Sequence, residues 1–281
     1  MPYTQTKTGK LHFEVIDQVA PWHTPGEAIL FHHGIGAAPG IWHKWLPALS
    51  DKYKVVVFDM RGYGKSHDPG ARFDWSLDLL ADDVRAVADA AEIDRFHLVG
   101  ESIGGTVVLK CGLTMPQRIR TLTVSNGAHI GSTIQRANEW RDRIDKQGIK
   151  AWSDEFMRGR FHDDALDPAE RAWFAQAQEA WTRDSILDAL AVLVGTDLTA
   201  SLKDIRCPTL LMHGDGSPFI PVSVMAELHG LLPNASFQVF EHARHGLPFS
   251  HAVECSRVLR GFLERTGNSA EPQTVPSNRS I

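Results

Sequence analysis

The sequence predicts an α/β fold: a mostly parallel sheet flanked by helices, with a helical cap inserted between two of its strands. Three observations predict it. In the first half, short apolar runs alternate with stretches of helical periodicity, the pattern of strands joined by crossover helices. Residues 129–198 then carry four charged or aromatic helical segments and no convincing strand, and Trp140, Trp152, Trp173 and Trp181 all lie there. The strand pattern finally resumes, and an amphipathic helix closes the fold.

Residues 11–19 alternate in part, and 28–31 form an apolar run ending at His32-His33-Gly34. A second run, 54–58, ends at Asp59-Met60-Arg61-Gly62. Over 77–91, Leu79, Leu80, Val84, Val87 and Ala88 recur at helical spacing with acids opposite them. The strand 96–99 breaks into Gly100-Glu101-Ser102-Ile103-Gly104-Gly105, followed by an apolar helix over 106–114 that stops before Pro116. Strands are expected at 121–125, 208–213 and 236–240, and the closing helix at 252–263. The division is therefore a core of 1–128 with 199–265, a cap of 129–198, and a tail of 266–281. That tail is almost without apolar residues and is expected to be disordered.

Composition excludes several functions. Hydrophobic residues make up 43% and charged residues 22% of the 281, as in ordinary globular proteins. Lys and Arg total 29 against 34 acids, a net charge of −5, so no basic excess is available for nucleic acid. No apolar run approaches the ~20 residues of a membrane span, and the start lacks the apolar core of a secretory signal, so a cytoplasmic protein is expected. Cys111, Cys207 and Cys255 are too few and scattered for a disulfide framework or a zinc site. No cofactor and no metal are expected, and a small molecule is the expected partner.

Gly100-x-Ser102-x-Gly104 lies between a short strand and a helix, the context in which this pattern makes a sharp turn that projects the serine from the sheet. The alternative is an ordinary glycine-rich turn or phosphate loop, but neither phosphate-binding fingerprint is present. The Ile103 N–H then points to where an oxyanion would form at the helix N-terminus. The loop 31–36 is placed to supply a second donor, the Ile35 N–H, with His33 bracing that loop. A base is expected after the last strand, where His245 precedes Gly246 and the closing helix; His242 is expected to face solvent.

These residues resemble the α/β-hydrolase superfamily from about 11 to 266, in its branch with a serine nucleophile. His33-Gly34, Asp59-x-Arg61-Gly62-x-Gly64-x-Ser66, Gly100-x-Ser102-x-Gly104-Gly105 and His245 stand in that family's order. The resemblance implies Ser102 as nucleophile and His245 as base, with Asp59 and Arg61 in a structural turn. The stretch Leu122-x-Val124-Ser125-Asn126-x-Ala128-x-Ile130-Gly131, with Trp140-x-x-Arg143-Ile144 and Gly148, looks like the start of the cap in 3-oxoadipate enol-lactonases.

One position departs from the family. Where Gly-x-x-Asp-x-x-x-Pro is usual, the chain reads Gly214-Asp215-Gly216-Ser217-Pro218-Phe219-Ile220-Pro221, with a serine in the acid's place. Asp215 is taken as the histidine's partner, reaching back two residues. Ser217 or Asn126 as a neutral partner, or a site that hydrolyses nothing, are the competing readings. The expected function is a serine hydrolase cleaving a small, carboxylated ester or lactone through an acyl-enzyme. Trp140 would wall the pocket, and Arg143 or Arg136 would hold the substrate's carboxylate. A carbon–carbon bond hydrolase on the same fold, and a non-catalytic receptor for a small ligand, are the alternatives.

Overall fold

The computed structural model describes residues 2–23 and 26–268. Eight strands form one sheet: β1 (Tyr3–Thr6), β2 (Gly9–Ile16), β3 (Glu27–His32), β4 (Tyr53–Phe58), β5 (Phe96–Glu101), β6 (Ile119–Ser125), β7 (Thr209–Gly214) and β8 (Ala235–Phe240). Their order is β1-β2-β4-β3-β5-β6-β7-β8. β1 pairs antiparallel with β2, and β2 with β4; every pairing from β4 to β8 is parallel. The central strand β5 is buried at all six positions, as a parallel strand covered on both faces must be. β1 is an addition to the strands expected. Its Tyr-Thr-Gln-Thr has no apolar alternation, because it is an edge strand whose side chains face water.

Among the described residues, nine helices accompany the sheet: α1 (Leu46–Leu49), α2 (Leu77–Ala90), α3 (Ile103–Thr114), α4 (Ala137–Arg160), α5 (Pro168–Glu179), α6 (Arg183–Val194), α7 (Val222–Leu231), α8 (Leu247–Ser250) and α9 (Ala252–Asn268). α2 begins at Ser76, whose side chain accepts the Leu79 N–H. α2 and α3 bury Leu80, Val84, Val107 and Val108 in one core cluster. The opposite cluster holds Trp45 and Leu49 with Leu259 and Phe262 of α9. α9 extends to Asn268, so residues 266–268 are helical where a tail was expected. The rest of that tail lies outside the described residues.

Between β6 and β7 stand α4, α5 and α6. α4 is broken at Gly148, whose φ of +83° suits a residue without a side chain, so its two halves serve as separate segments. α5 opens on a capping box of Asp167 and Glu170. The two ends of the insertion are tied together where it leaves the sheet. Gly131 N–H donates to Thr196 O at 2.7 Å, and Leu198 N–H to His129 O at 2.9 Å. The insertion is thereby closed at its base and set above the ends of β5, β6 and β7.

Candidate active site

The turn from β5 to α3 forces Ser102 to φ 58°, ψ −121°, a conformation that costs on the order of 1–3 kcal/mol in a residue with a side chain. Small neighbours make it possible. A Cβ on Gly100 would lie 2.2 Å from the Gly104 carbonyl oxygen, and one on Gly104 would lie 2.5 Å from that of His32. This close approach also explains why α3 starts at Ile103 and takes in two glycines, despite their cost of about 1 kcal/mol each in a helix. Ser102 N–H is fixed to Ser125 O of β6 at 2.9 Å. Ile103, as first residue of α3, has an N–H with no partner inside the helix.

His245 lies on the loop after β8 and is 3% exposed. Its Nε2 is 3.1 Å from Ser102 Oγ, and its Nδ1 is 3.1 Å from Ser217 Oγ. A neutral imidazole carries one N–H. With Nδ1–H donating to Ser217, Nε2 is free to accept the Ser102 hydroxyl proton. Burial, joined by the charge of Arg160 and by His213, holds the ring's pKa well below the usual histidine value. The ring is held neutral.

The expectation for Asp215 is corrected. Its carboxylate accepts the backbone N–H groups of His242 and Ala243, both at 3.1 Å, and so pins the loop that carries His245 without touching the ring. Standing directly after β7, it is closer to that backbone than to the imidazole. Asn126 is also turned away from the ring: its Nδ2 donates to His245 O at 2.9 Å, and its Oδ1 accepts the Gly214 N–H at 3.1 Å. His242 is exposed, stacked on His162 and paired with Asp164. His33 braces its loop, with Nδ1 3.0 Å from Gly34 O while Nε2 accepts the Met60 N–H; burial lowers its pKa to about 3.

The cavity at Ser102 measures about 20 Å³ and is lined by Ile35, Ile134, Trp140, Leu190, Phe219 and His245, among others. That volume is room for roughly one water molecule. Trp140 is therefore in the wall, and Ile35 is buried beside it. Arg136 and Arg143 are not: Arg136 pairs with Glu139 and Glu155, and Arg143 bonds Gln147, all on the outer side of α4. Glu139 and Glu155 hold Arg136 away from the pocket, and Gln147 holds Arg143 along its own helix. The arginine that does line it is Arg160, 2% exposed, with Nε donating to Gln178 at 2.8 Å and Nη2 to Ile35 O.

Glu101 is the carboxyl beside Arg160 and His245. It is 2% exposed, and its carboxyl lies against the Gly34 backbone N–H, which favours the charged form. Its Oε1 is 3.7 Å from Arg160 Nη1 and 3.8 Å from His245 Nε2. Burial, opposed by Arg160, pushes its pKa up to about 7. Reading the sequence missed both residues. Arg160 sits in a run with Arg158 that gives no sign of burial, and Glu101 occupies a position the serine motif leaves open.

A larger groove of about 520 Å³ lies elsewhere, along His12, Asp59, Trp42, Lys65 and Trp173, and includes neither Ser102 nor His245. Among the described residues, no cluster of His, Cys, Asp and Glu is arranged to hold a metal, and no helix is long and apolar enough to cross a membrane.

The α/β-hydrolase fold model matches residues 27–204. A RutD protein of Azorhizobium caulinodans, whose name makes it a candidate carbamate hydrolase, is 27% identical over 93% of this chain and 98% of its own. The pimeloyl-[acyl-carrier protein] methyl ester esterase of Photobacterium profundum is 28% identical over 86% of this chain and 98% of its own. Among solved structures, the enol-lactonase of Burkholderia xenovorans superposes with a TM-score of 0.83 at 20% identity, covering 94% of this chain and all of that one. That last likeness is one of fold.

Proposed function

The chain belongs to the α/β-hydrolase family, and from that premise we propose that it is a serine hydrolase acting on a small ester or lactone. The observation that carries this reading is Ser102 Oγ, on a strained turn, 3.1 Å from the Nε2 of a buried neutral histidine. Ser102 attacks the substrate's acyl carbon as its proton passes to His245 Nε2. The Ile35 and Ile103 N–H groups receive the oxyanion. His245 then gives its proton to the leaving oxygen, and a water activated by the same ring hydrolyses the acyl-enzyme. No metal or cofactor is called upon. Ser217 holds the ring's tautomer as a neutral acceptor.

The carbamate, methyl ester and enol-lactone in the relatives' names share an acyl carbon bearing a heteroatom leaving group, which suits this chemistry. The apolar wall of Ile134, Trp140, Leu190 and Phe219 favours a compact apolar acyl group. If the substrate carries a carboxylate, Arg160 is the cation within the pocket to meet it. A fluorophosphonate probe tests the proposal: Ser102 is expected to be labelled, and labelling is expected to vanish in Ser102→Ala. An unlabelled wild-type protein would leave the receptor reading in its place.

A further inference from the structure

Histidine bases on this fold work with an acid at Nδ1, and the imidazolium formed during catalysis needs a negative charge beside it. In a serine triad, replacing that acid by an amide costs about 10⁴ in kcat. Here Nδ1 meets the neutral hydroxyl of Ser217, and Asp215 is engaged with backbone. Arg160 makes matters worse, because its buried cation already disfavours a positive charge on His245. One buried carboxyl stands close enough to reverse both effects. Glu101 Oε1 is 3.8 Å from His245 Nε2 and 3.7 Å from Arg160 Nη1, with the Gly34 backbone against the same carboxyl.

We infer that Glu101 is the carboxylate that stabilises the His245 imidazolium, acting from the Ser102 side of the ring in place of an acid at Nδ1. It is a positioning residue, and the inference rests on the serine-hydrolase reading above. The Ser102 proton still travels to His245 Nε2 and on to the leaving group; Glu101 gains and loses none during turnover. It offsets the Arg160 charge and leaves the new imidazolium facing an anion in a site closed to water, where such pairs are strong. The charged and titratable groups around it are Arg160 from α4, His245 from the loop after β8, and His213 at the end of β7; the loop after β3 presents only backbone at Gly34. With its carboxyl pushed up to about 7, Glu101 is ionised above neutral pH and protonated below it. Activity is accordingly expected to rise through about pH 7 and to fall on the acid side.

The experiment measures p-nitrophenyl acetate turnover from pH 5 to 9, with fluorophosphonate labelling alongside. Glu101→Gln is expected to lower kcat at pH 8 by about 10- to 10³-fold and to move the acid limb to lower pH, where His245 alone, held well below the usual histidine value, would titrate. Adding Ser217→Asp to that variant is expected to recover at least about tenfold of the loss, since a carboxylate across the ring does the same work. Because Glu101→Gln leaves Arg160 buried without a counter-charge and could unfold the chain, Glu101→Gln with Arg160→Gln serves as the second variant. It too is expected to lose the limb near pH 7. A limb that persists in either variant, an unchanged kcat in Glu101→Gln, or no recovery with Ser217→Asp would overturn the inference while Ser102 remained reactive. A wild-type chain whose Ser102 takes no label would overturn the hydrolase reading and this inference with it.

Discussion

Ser102 and Ser217 illustrate how differently two serines of one site depend on their surroundings. Ser102 projects from a turn whose shape is fixed by backbone packing, so Ser102→Ala should abolish ester hydrolysis, by at least about 10³-fold, and leave the melting temperature nearly unchanged. Ser217 works by accepting a single N–H. Ser217→Ala strands the buried Nδ1–H, a loss of about 1–3 kcal/mol, and is expected to reduce kcat more than Asp215→Asn, which touches only the backbone N–H groups of His242 and Ala243. Steady-state kinetics on the two variants decides between them; the opposite order would return Asp215 to the ring. Ser102 and His245 were legible in the sequence because each is set by a local motif, a strand running into a turn or loop before a helix. The partner of His245 was less so. Two residues of separation along 214–217 change which side chain reaches the ring, and that depends on where β8 delivers its loop. Arg160 and Glu101 meet across 59 residues of chain, and no local spacing announces such a pair.

The elements divide in the same way. Strands buried on both faces, such as β5, read clearly as apolar runs, whereas β1 and α7 went unread. β1 has polar side chains on an edge, and α7 follows Pro221 in a stretch with little amphipathic contrast. α2 is held to the turn after β4 through Arg61, which the sequence placed in a structural turn. Arg61, fully buried, donates through Nε to Asp83 Oδ2 at 2.9 Å, and Asp83 is itself 2% exposed. Removing one partner of a buried pair leaves an uncompensated charge. Asp83→Ala is therefore expected to cost about 3–5 kcal/mol in urea unfolding, without altering the labelling of Ser102 in the protein that remains folded. A loss under about 1 kcal/mol would mean that Arg61 finds water or another partner.

Across the whole molecule, burial of neutral histidines couples stability to pH. The pKa values of His32 and His213 are lowered to about 4 and that of His33 to about 3, each chiefly by burial. These rings take up protons near pH 6.5 when the chain unfolds but resist them when it is folded. Their contribution is thus intact above about pH 6.5 and drains away as pH falls toward 4, by on the order of 1.4 kcal/mol per pH unit for each. Glu101 runs the other way between about 4.5 and 7, and cancels one of the three. The melting temperature is expected to drop steadily from about pH 6.5 to pH 5; a flat profile would contradict the neutral burial of these rings. The pocket of about 20 Å³ has a kinetic corollary. An ester needs more room than this, so it binds only when the side chains lining the pocket have parted, and every apparent affinity is weakened by the fraction of molecules in that state. Covalent labelling of Ser102 should consequently saturate as probe concentration rises, levelling at the frequency with which the pocket widens.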